Sequence, residues 1–266
     1  MTVQFFCPRW GSENLPWDVF FQQARDAGYD GVEYAISGDT SSDTLDVVWN
    51  SADKQGMLMI AQHFDTATPD FGIHFETYLD WLHKIRPYQP LKINSQTGKD
   101  FFSLEQNTVL LNAAADFTEL TGIAVCHETH RSKFSFAAHI TKNYLDHLPS
   151  LRITFDVSHW LCVAESFLED QQPAVWQALE RSDHIHSRVG YQQGPQVPDP
   201  RLPEWQEALE KHMVWWDIIA QRHEQEGHVL TITPEFGPFP YSSQPVNNQW
   251  AINIYMMQLL KKRYHQ

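Results

Sequence analysis

The 266-residue sequence predicts a closed (β/α)₈ TIM barrel occupying residues 1–266 as one domain, on three observations. About eight β-like runs alternate with helical patterns, every connection is long enough for a crossover helix, and no GxGxxG follows the first run. Crossover connections make a parallel sheet, and eight such units close into a barrel; an open doubly wound sheet would carry its glycine fingerprint at the first turn.

The first strand is expected over Val3 to Cys7, with Pro8-Arg9-Trp10-Gly11 as its loop. Pro16 opens a helical pattern through Val19, Phe20, Ala24 and Ala27 that stops at Gly28. Gly31-Val32-Glu33-Tyr34 is the second strand, followed by a polar loop and a helix through Leu45, Val48 and Ala52 that ends before Gly56. Met57 to Ala61 is the third, leading to His63, and Phe75, Leu79, Leu82 and Ile85 mark a helical face stopped by Pro87. Leu91 to Asn94 is the fourth, with Thr97-Gly98-Lys99-Asp100 as its loop and Leu104 to Leu120 as its helix.

Gly122 to Glu128 reads as the fifth strand, its loop carrying Thr129-His130-Arg131 before a helix over Ser135 to His147. Leu151 to Asp156 is the sixth, and Gln172 to Leu179 is helical. The seventh strand carries His184-Ile185-His186-Ser187-Arg188, followed by an irregular insert, Gly190 to Pro203, placed where a lid or substrate loop is expected. Helix Trp205 to Gln225, strand Val229 to Glu235 and helix Trp250 to Lys262 complete the chain.

A formal charge of −14 would repel phosphate backbones, and no Lys/Arg-rich run offsets it locally, so a small-molecule partner is expected and a nucleic acid is not. Cys7, Cys126 and Cys162 cannot all pair within the chain and form no CxxC, which favours reduced thiols in a cytoplasm. The N-terminal stretch lacks a basic n-region, and no apolar run approaches the roughly 18 residues of a membrane span. Oligomeric state is not legible: Trp215-Trp216 would suit a homo-oligomer and would equally suit internal packing.

Side chains on a barrel strand alternate between the interior and the helix layer. Val125, Ile153, Phe155, Ile185, Leu230 and Ile232 take the helix-facing parity, whereas Cys126 and Glu128, Thr154 and Asp156, His184 and His186, and Thr233 and Glu235 take the interior one. The fifth to eighth strands therefore each deliver an acid or histidine to the C-terminal rim, where barrel active sites lie. Three carboxylates there could not all stay ionised unaided, and a divalent cation removes that cost. The set Glu128, Asp156, His186, Glu235 suits one ion of Mn²⁺, Mg²⁺, Co²⁺ or Zn²⁺.

His184 shares the parity of His186 one layer deeper, as a histidine that orients a ligand would. His63 is read with interior parity, where it could orient a substrate hydroxyl. Glu33 has interior parity too, and belongs either to a polar barrel core or to the substrate. Lys99, His130 and Arg131 lie on rim loops, and Trp10, Trp160 and Phe236 flank rim positions where flat faces stack on a sugar or pack between helix and barrel.

Along most of its length the sequence resembles the sugar phosphate isomerase/epimerase family, which has the xylose isomerase-like barrel. The resemblance is carried by Gly28-Tyr29-Asp30-Gly31-Val32-Glu33, Ile93-Asn94-Ser95-Gln96-Thr97-Gly98-Lys99-Asp100, His127-Glu128-Thr129-His130-Arg131, Asp156-Val157-Ser158-His159-Trp160 and Pro234-Glu235, in that order and spacing. It implies that Glu128, Asp156, His186 and Glu235 hold one divalent metal, that Glu128 and Glu235 also move the proton, and that His159 and Arg188 face substrate oxygens. One departure concerns Arg188. The substrate-contacting arginine of such epimerases lies several residues beyond the strand-seven histidine, whereas Arg188 is two residues beyond His186.

The expected reaction is isomerisation or epimerisation of a small sugar or polyol-derived ketone through an enediolate. A dehydratase of a cyclic polyol ketone shares the first step. A phosphodiester-cleaving hydrolase on the same barrel would need further ligands from strands two to four and a basic groove, and a non-catalytic sugar-binding barrel would not need the acids. No Gly-rich phosphate loop appears near strands seven and eight, so phosphate on the substrate stays open.

Overall fold

A computed structural model describes residues 2–242 and 247–264. Eight parallel strands, β1 (Val3–Pro8), β2 (Gly31–Ala35), β3 (Leu58–His63), β4 (Lys92–Ser95), β5 (Ala124–Glu128), β6 (Ile153–Phe155), β7 (Ser182–His186) and β8 (Leu230–Thr233), pair in sequence order. The sheet closes where β1 pairs β8 with Val3 opposite Leu230 and Phe5 opposite Ile232. Around it lie α1 (Trp17–Ala27), α2 (Ser42–Gln55), α3 (Phe71–Ile85), α4 (Leu104–Thr121), α5 (Ala138–His147), α6 (Val157–Ala164), α7 (Gln172–Glu180), α8 (Gln206–Glu226) and α9 (Asn247–Tyr264). The (β/α)₈ barrel expected from the alternating pattern is the fold observed.

Local chemistry sets the helix boundaries. Ser41 accepts from the Thr44 N–H at the start of α2, and Ser103 and Gln106 form a reciprocal capping box at the start of α4. Inside the barrel, Gly31 lets two strands approach: a Cβ there would stand 2.4 Å from the Phe6 ring. No helix among the described residues is long and apolar enough to cross a membrane.

Alternation divides the sheet as anticipated on β5 to β8. Val125, Ile153, Phe155, Ile185, Leu230 and Ile232 pack into the layer between strands and helices. Trp160, Trp216 and Phe236 are buried in the same layer, so none of the three is a sugar-stacking face or an exposed dimer surface. That apolar layer holds the strand ends rigidly, which is what a precise constellation at the rim requires.

Two local expectations change. The stretch after β6 turns at once into α6, capped by the Asp156 side chain, which accepts from the Ser158 N–H. His159 is therefore a helical residue lying over the barrel mouth. The insert 190–203 is tied down and lines none of the central cavity described below. Gly190 N–H donates to His212 Nε2 at 3.2 Å, Val197 N–H to the Val189 carbonyl at 2.8 Å, and Gln196 exchanges two hydrogen bonds with the Gly237 backbone. Residues expected to form a lid instead brace β7 and α8 against the segment after β8.

Candidate metal centre

At the C-terminal end of the barrel, Glu128 from β5, Asp156 after β6, His186 from β7 and Glu235 after β8 bring one ligand-type atom each to within 4.8 Å of one another. All four are buried. Glu235 lines a cavity of about 610 Å³ whose walls include Trp10, Tyr34, Gln96, His130 and Tyr241, and the other three are buried against it. Strand parity places them there: each is the last interior-facing side chain of its βα unit.

Their remaining atoms are held from outside the cluster. Glu128 Oε2 accepts from Gln62 Nε2 at 3.4 Å, Asn94 Nδ2 at 3.1 Å and Gln96 Nε2 at 3.2 Å. Glu235 Oε1 accepts from Gln62 Nε2 at 3.1 Å. Asp156 Oδ1 accepts from the backbone N–H of Ser158 at 3.2 Å and from its hydroxyl. His186 Nε2 lies 3.0 Å from Glu33 Oε1, so the proton on that nitrogen points to the carboxylate and Nδ1 is turned to the centre, 3.1 Å from Glu235 Oε2 and 3.8 Å from Glu128 Oε1.

Glu128 Oε1 and His186 Nδ1 are buried and find no aligned hydrogen-bond partner among the described residues. Buried ligand-type atoms without partners facing one point, three of the residues being carboxylates, fit a divalent cation that displaces the proton from the imidazole: hard oxygens and one imidazole whose other nitrogen a carboxylate orients. The expected ligand set is thus brought together by the fold.

Burial pushes the Glu128 carboxyl up to about 7, with Glu235 and Asp156 adding to the rise against His186. Burial also raises the carboxyl of Asp156, against the pull of Arg188. At Glu235 burial acts the same way, but His186 and Arg188 outweigh it and the carboxyl falls below its ordinary value. Burial would keep His186 neutral, yet Glu235, Glu33 and Glu128 hold its protonated form well above the ordinary range. Without an ion the centre is partly neutralised by protons, which is the cost anticipated for clustered acids.

The other expected site residues divide. His159 and Arg188 reach the centre: Arg188 Nη2 donates to Asp156 Oδ2 and to His159 Nε2, the latter at 2.7 Å, and Nη1 lies 3.5 Å from Glu235 Oε2. Arg188 lines the cavity and its guanidinium lies 5.0 Å from the Tyr241 ring centroid, so the shorter spacing from His186 still delivers a cation to the mouth. The His159 ring lies 3.9 Å from that of His130, and burial holds both imidazoles well below their ordinary pKa, His130 at about 3. Arg131 lies 5.3 Å from Tyr241, and Lys99 over the ring of Phe101 at 5.7 Å.

Glu33 lies below the metal-type ligands in the barrel core, where it takes His186, the Thr233 hydroxyl, Asn94 Nδ2 and, at 3.1 Å, His184 Nε2. It belongs to the polar core and is absent from the cavity wall. His184 completes this layer by approaching the Thr231 carbonyl at 3.0 Å, the supporting place expected for it.

His63 has the opposite parity to the one expected. Its nitrogens are taken by Ser95 Oγ at 3.2 Å and Thr66 Oγ1 at 2.7 Å, and its ring packs on Tyr78 and Trp81 of α3. It therefore stands in the strand–helix layer, because Gln62, paired across the sheet with Asn94, is the interior residue. Gln62, Asn94, Gln96, Ser158 and Tyr241 were not anticipated at the centre. Asn94 and Gln96 share one parity on β4 and its end, a signal the sequence carried but that amides, unlike acids, do not advertise.

The chain matches no protein-family profile and no curated protein sequence. Among solved structures it resembles the probable 3-DHS dehydratase AsbF involved in petrobactin synthesis from Bacillus anthracis, with a TM-score of 0.62 and 17% identity over 98% of this chain and 99% of that one. It also resembles an AP endonuclease, family 2, from Brucella melitensis, with a TM-score of 0.62 and 13% identity over 90% and 95% of the two chains. A β-mannanase from Thermomonospora fusca follows at a TM-score of 0.51 and 8% identity, over 92% and 82%. The shared property is the fold, a (β/α)₈ barrel, which several chemistries use.

Proposed function

We propose that this protein is a divalent-metal-dependent isomerase or epimerase of a small sugar or polyol-derived ketone. The observation that carries the reading is the convergence of Glu128, Asp156, His186 and Glu235 from consecutive βα units on one point, with Glu235 opening onto the cavity. A bound divalent ion would supply a Lewis acid for the substrate's carbonyl and adjacent hydroxyl.

The chain's own residues do the rest. Glu235 takes the proton from the carbon beside the carbonyl, and Glu128, carried three strands away on β5, returns one. Return to the same carbon from the opposite face inverts it; return to the neighbouring carbon shifts the carbonyl. Gln62 Nε2 touches both carboxylates and holds their spacing. Gln96, Tyr34 and Tyr241 offer hydroxyl-reading groups, and Trp10 a flat apolar face, as a polyol requires.

Arg9 and Arg188 are the arginines or lysines in the cavity wall among the described residues. Arg9 Nη2 donates to the carbonyls of Glu13 and Leu15, and Arg188 is committed to Asp156. Arg9 Nη1 has no hydrogen-bond partner among the described residues, so an anionic group on the substrate stays open. On the β3 and β4 side the centre is faced by the amides Gln62, Asn94 and Gln96, and His63 is turned away, so the extra ligands a phosphodiester-cleaving metal cluster needs are missing there among the described residues. This supports carbonyl chemistry over hydrolysis.

A second reading, dehydration of a cyclic polyol ketone, is favoured by one feature: the Glu128 carboxyl, raised to about 7 and beside His130 of the cavity wall, is placed to give a proton to a leaving hydroxyl. Metal-loaded protein incubated with ketoses and cyclic polyol ketones in D₂O separates the readings. Deuterium beside the carbonyl with an isomeric product supports the first; net loss of water selects the second; phosphodiester cleavage with no exchange rejects both.

A further inference from the structure

A second group of metal-type ligands overlaps the first. Glu128, His130 and His159 also bring one donor atom each to within 4.8 Å of one another, sharing Glu128 with the main set. His159 is fully buried, its Nδ1 has no partner among the described residues, and its Nε2 faces the centre as an acceptor for a cation. A cation already takes it. Arg188, 1% exposed, donates from a single nitrogen, Nη2, to both His159 Nε2 and Asp156 Oδ2, while Nη1 faces Glu235 Oε2 at 3.5 Å.

A guanidinium does not lose its proton in a protein, is planar and stays where such contacts hold it. The charge count follows. Glu128, Asp156, Glu235 and the underlying Glu33 supply four negative charges, and one divalent ion with Arg188 supplies three positive ones. A second divalent ion would turn this into five positive charges against four negative ones and press a dication against the guanidinium in a buried centre, which low-dielectric surroundings penalise.

Resting on the metal-dependent reading above, we infer that Arg188 is the fixed cation of the centre, standing against Asp156 and His159 where a second divalent ion would bind and so holding the site to one metal. A neutral side chain at 188 opens a dinuclear site built from Asp156, Glu128, His130 and His159. Arg188 is thus a residue that determines metal number, in addition to any contact with substrate.

The test counts ions and reads their spectrum. Wild type, Arg188→Lys, Arg188→Gln and Arg188→Gln/His159→Ala are stripped of metal, equilibrated with Mn²⁺, and measured by elemental analysis and electron paramagnetic resonance. Wild type and Arg188→Lys are expected to hold one ion with the signal of an isolated Mn²⁺. Arg188→Gln is expected to hold two with an exchange-coupled signal, and the added His159→Ala returns the count to one.

A single isolated ion in Arg188→Gln overturns the inference and leaves the metal-dependent reading standing; two ions in wild type overturn it whatever the variants do. No ion in wild type overturns the reading itself. Should Arg188→Gln not fold without metal, it is refolded in Mn²⁺ and counted after gel filtration, and Arg188→Met, of similar length, serves as a second neutral variant with the same expected outcomes.

Discussion

Glu33 Oε1 lies 3.0 Å from His186 Nε2, and that contact decides which nitrogen of the ring faces the carboxylates. Ligand basicity and ring orientation both depend on such a partner. Glu33→Gln is expected to lower divalent-metal affinity by about 10- to 100-fold while the fold survives. Titration of metal-free protein by calorimetry checks this, and an unchanged dissociation constant would show that His186 needs no support from below.

Gln62 and His63 are neighbours with opposite roles. Gln62 touches both candidate acid/base carboxylates, so Gln62→Leu is expected to reduce kcat roughly 10-fold or more, the loss of hydrogen bonds to charged groups, with little change in melting temperature. His63→Phe removes contacts to Ser95 and Thr66 in the strand–helix layer and is expected to cost about 1–3 kcal/mol of stability with kcat unchanged. The reverse pattern in paired kinetics and urea melts would return His63 to the site.

These two residues also mark how far the sequence could be read. On β6 to β8 apolar and polar residues alternate, as in Ile153-Thr154-Phe155-Asp156 and Leu230-Thr231-Ile232-Thr233, so the inward face is legible and the ligand set with it. On β3 the run ends Gln62-His63, two polar residues whose phase polarity cannot decide; only the pairing of Gln62 with Asn94 settles it. Val157 to Ala164 is only 8 residues long and starts at once after Asp156, too short for a repeating helical pattern to declare itself, so α6 is not legible in the sequence. The anchoring of the insert depends on Gln196 meeting Gly237 across 41 residues, a tertiary pairing that no local pattern encodes.

Gly190 is where that insert meets the centre. A Cβ at 190 would stand 2.6 Å from Ser158 Cβ and 2.9 Å from Ser158 Cα, and Ser158 holds both Asp156 and Arg188. Gly190→Ala is expected to destabilise the fold by about 1–3 kcal/mol, as overpacking does, and to weaken metal binding through the displaced Asp156. A urea melt and a metal titration measure the two effects, and a stable variant with weakened metal binding would confine the strain to the site.

His212 gives a pH dependence with a definite sign. Its Nδ1 donates to the Ala208 carbonyl at 2.7 Å and its Nε2 accepts from Gly190 N–H, so the folded state holds the neutral ring. Burial lowers its pKa from 6.5 to about 4. Between those values the unfolded chain binds the extra proton, so stability rises with pH across the window and is lost as pH falls through it, by roughly 3 kcal/mol in full. His212→Gln keeps an acceptor for Gly190 and removes the titration, so its denaturation midpoint should fall less steeply from pH 6.5 to 4. Equal slopes in wild type and variant would place the acid sensitivity in other buried histidines, of which His127 is one.

Glu235 is the sharpest single test because its two oxygens have separate duties: Oε1 is held by Gln62, and Oε2 faces His186 and Arg188 at the centre. Glu235→Gln keeps the shape and an acceptor for Gln62 but puts a neutral amide among the ligands. Because Glu235 is 5% exposed, where Glu128 is fully buried and accepts three amide bonds on one oxygen, the fold is expected to tolerate the change at 235 better than at 128. Metal affinity and the rate of deuterium exchange beside the substrate carbonyl are expected to fall together, each by more than about tenfold, a loss of at least about 1.4 kcal/mol. An exchange rate equal to wild type, in a variant shown by calorimetry to bind metal less tightly, would assign the proton transfer to a different residue; equality in both would move the centre away from the end of β8.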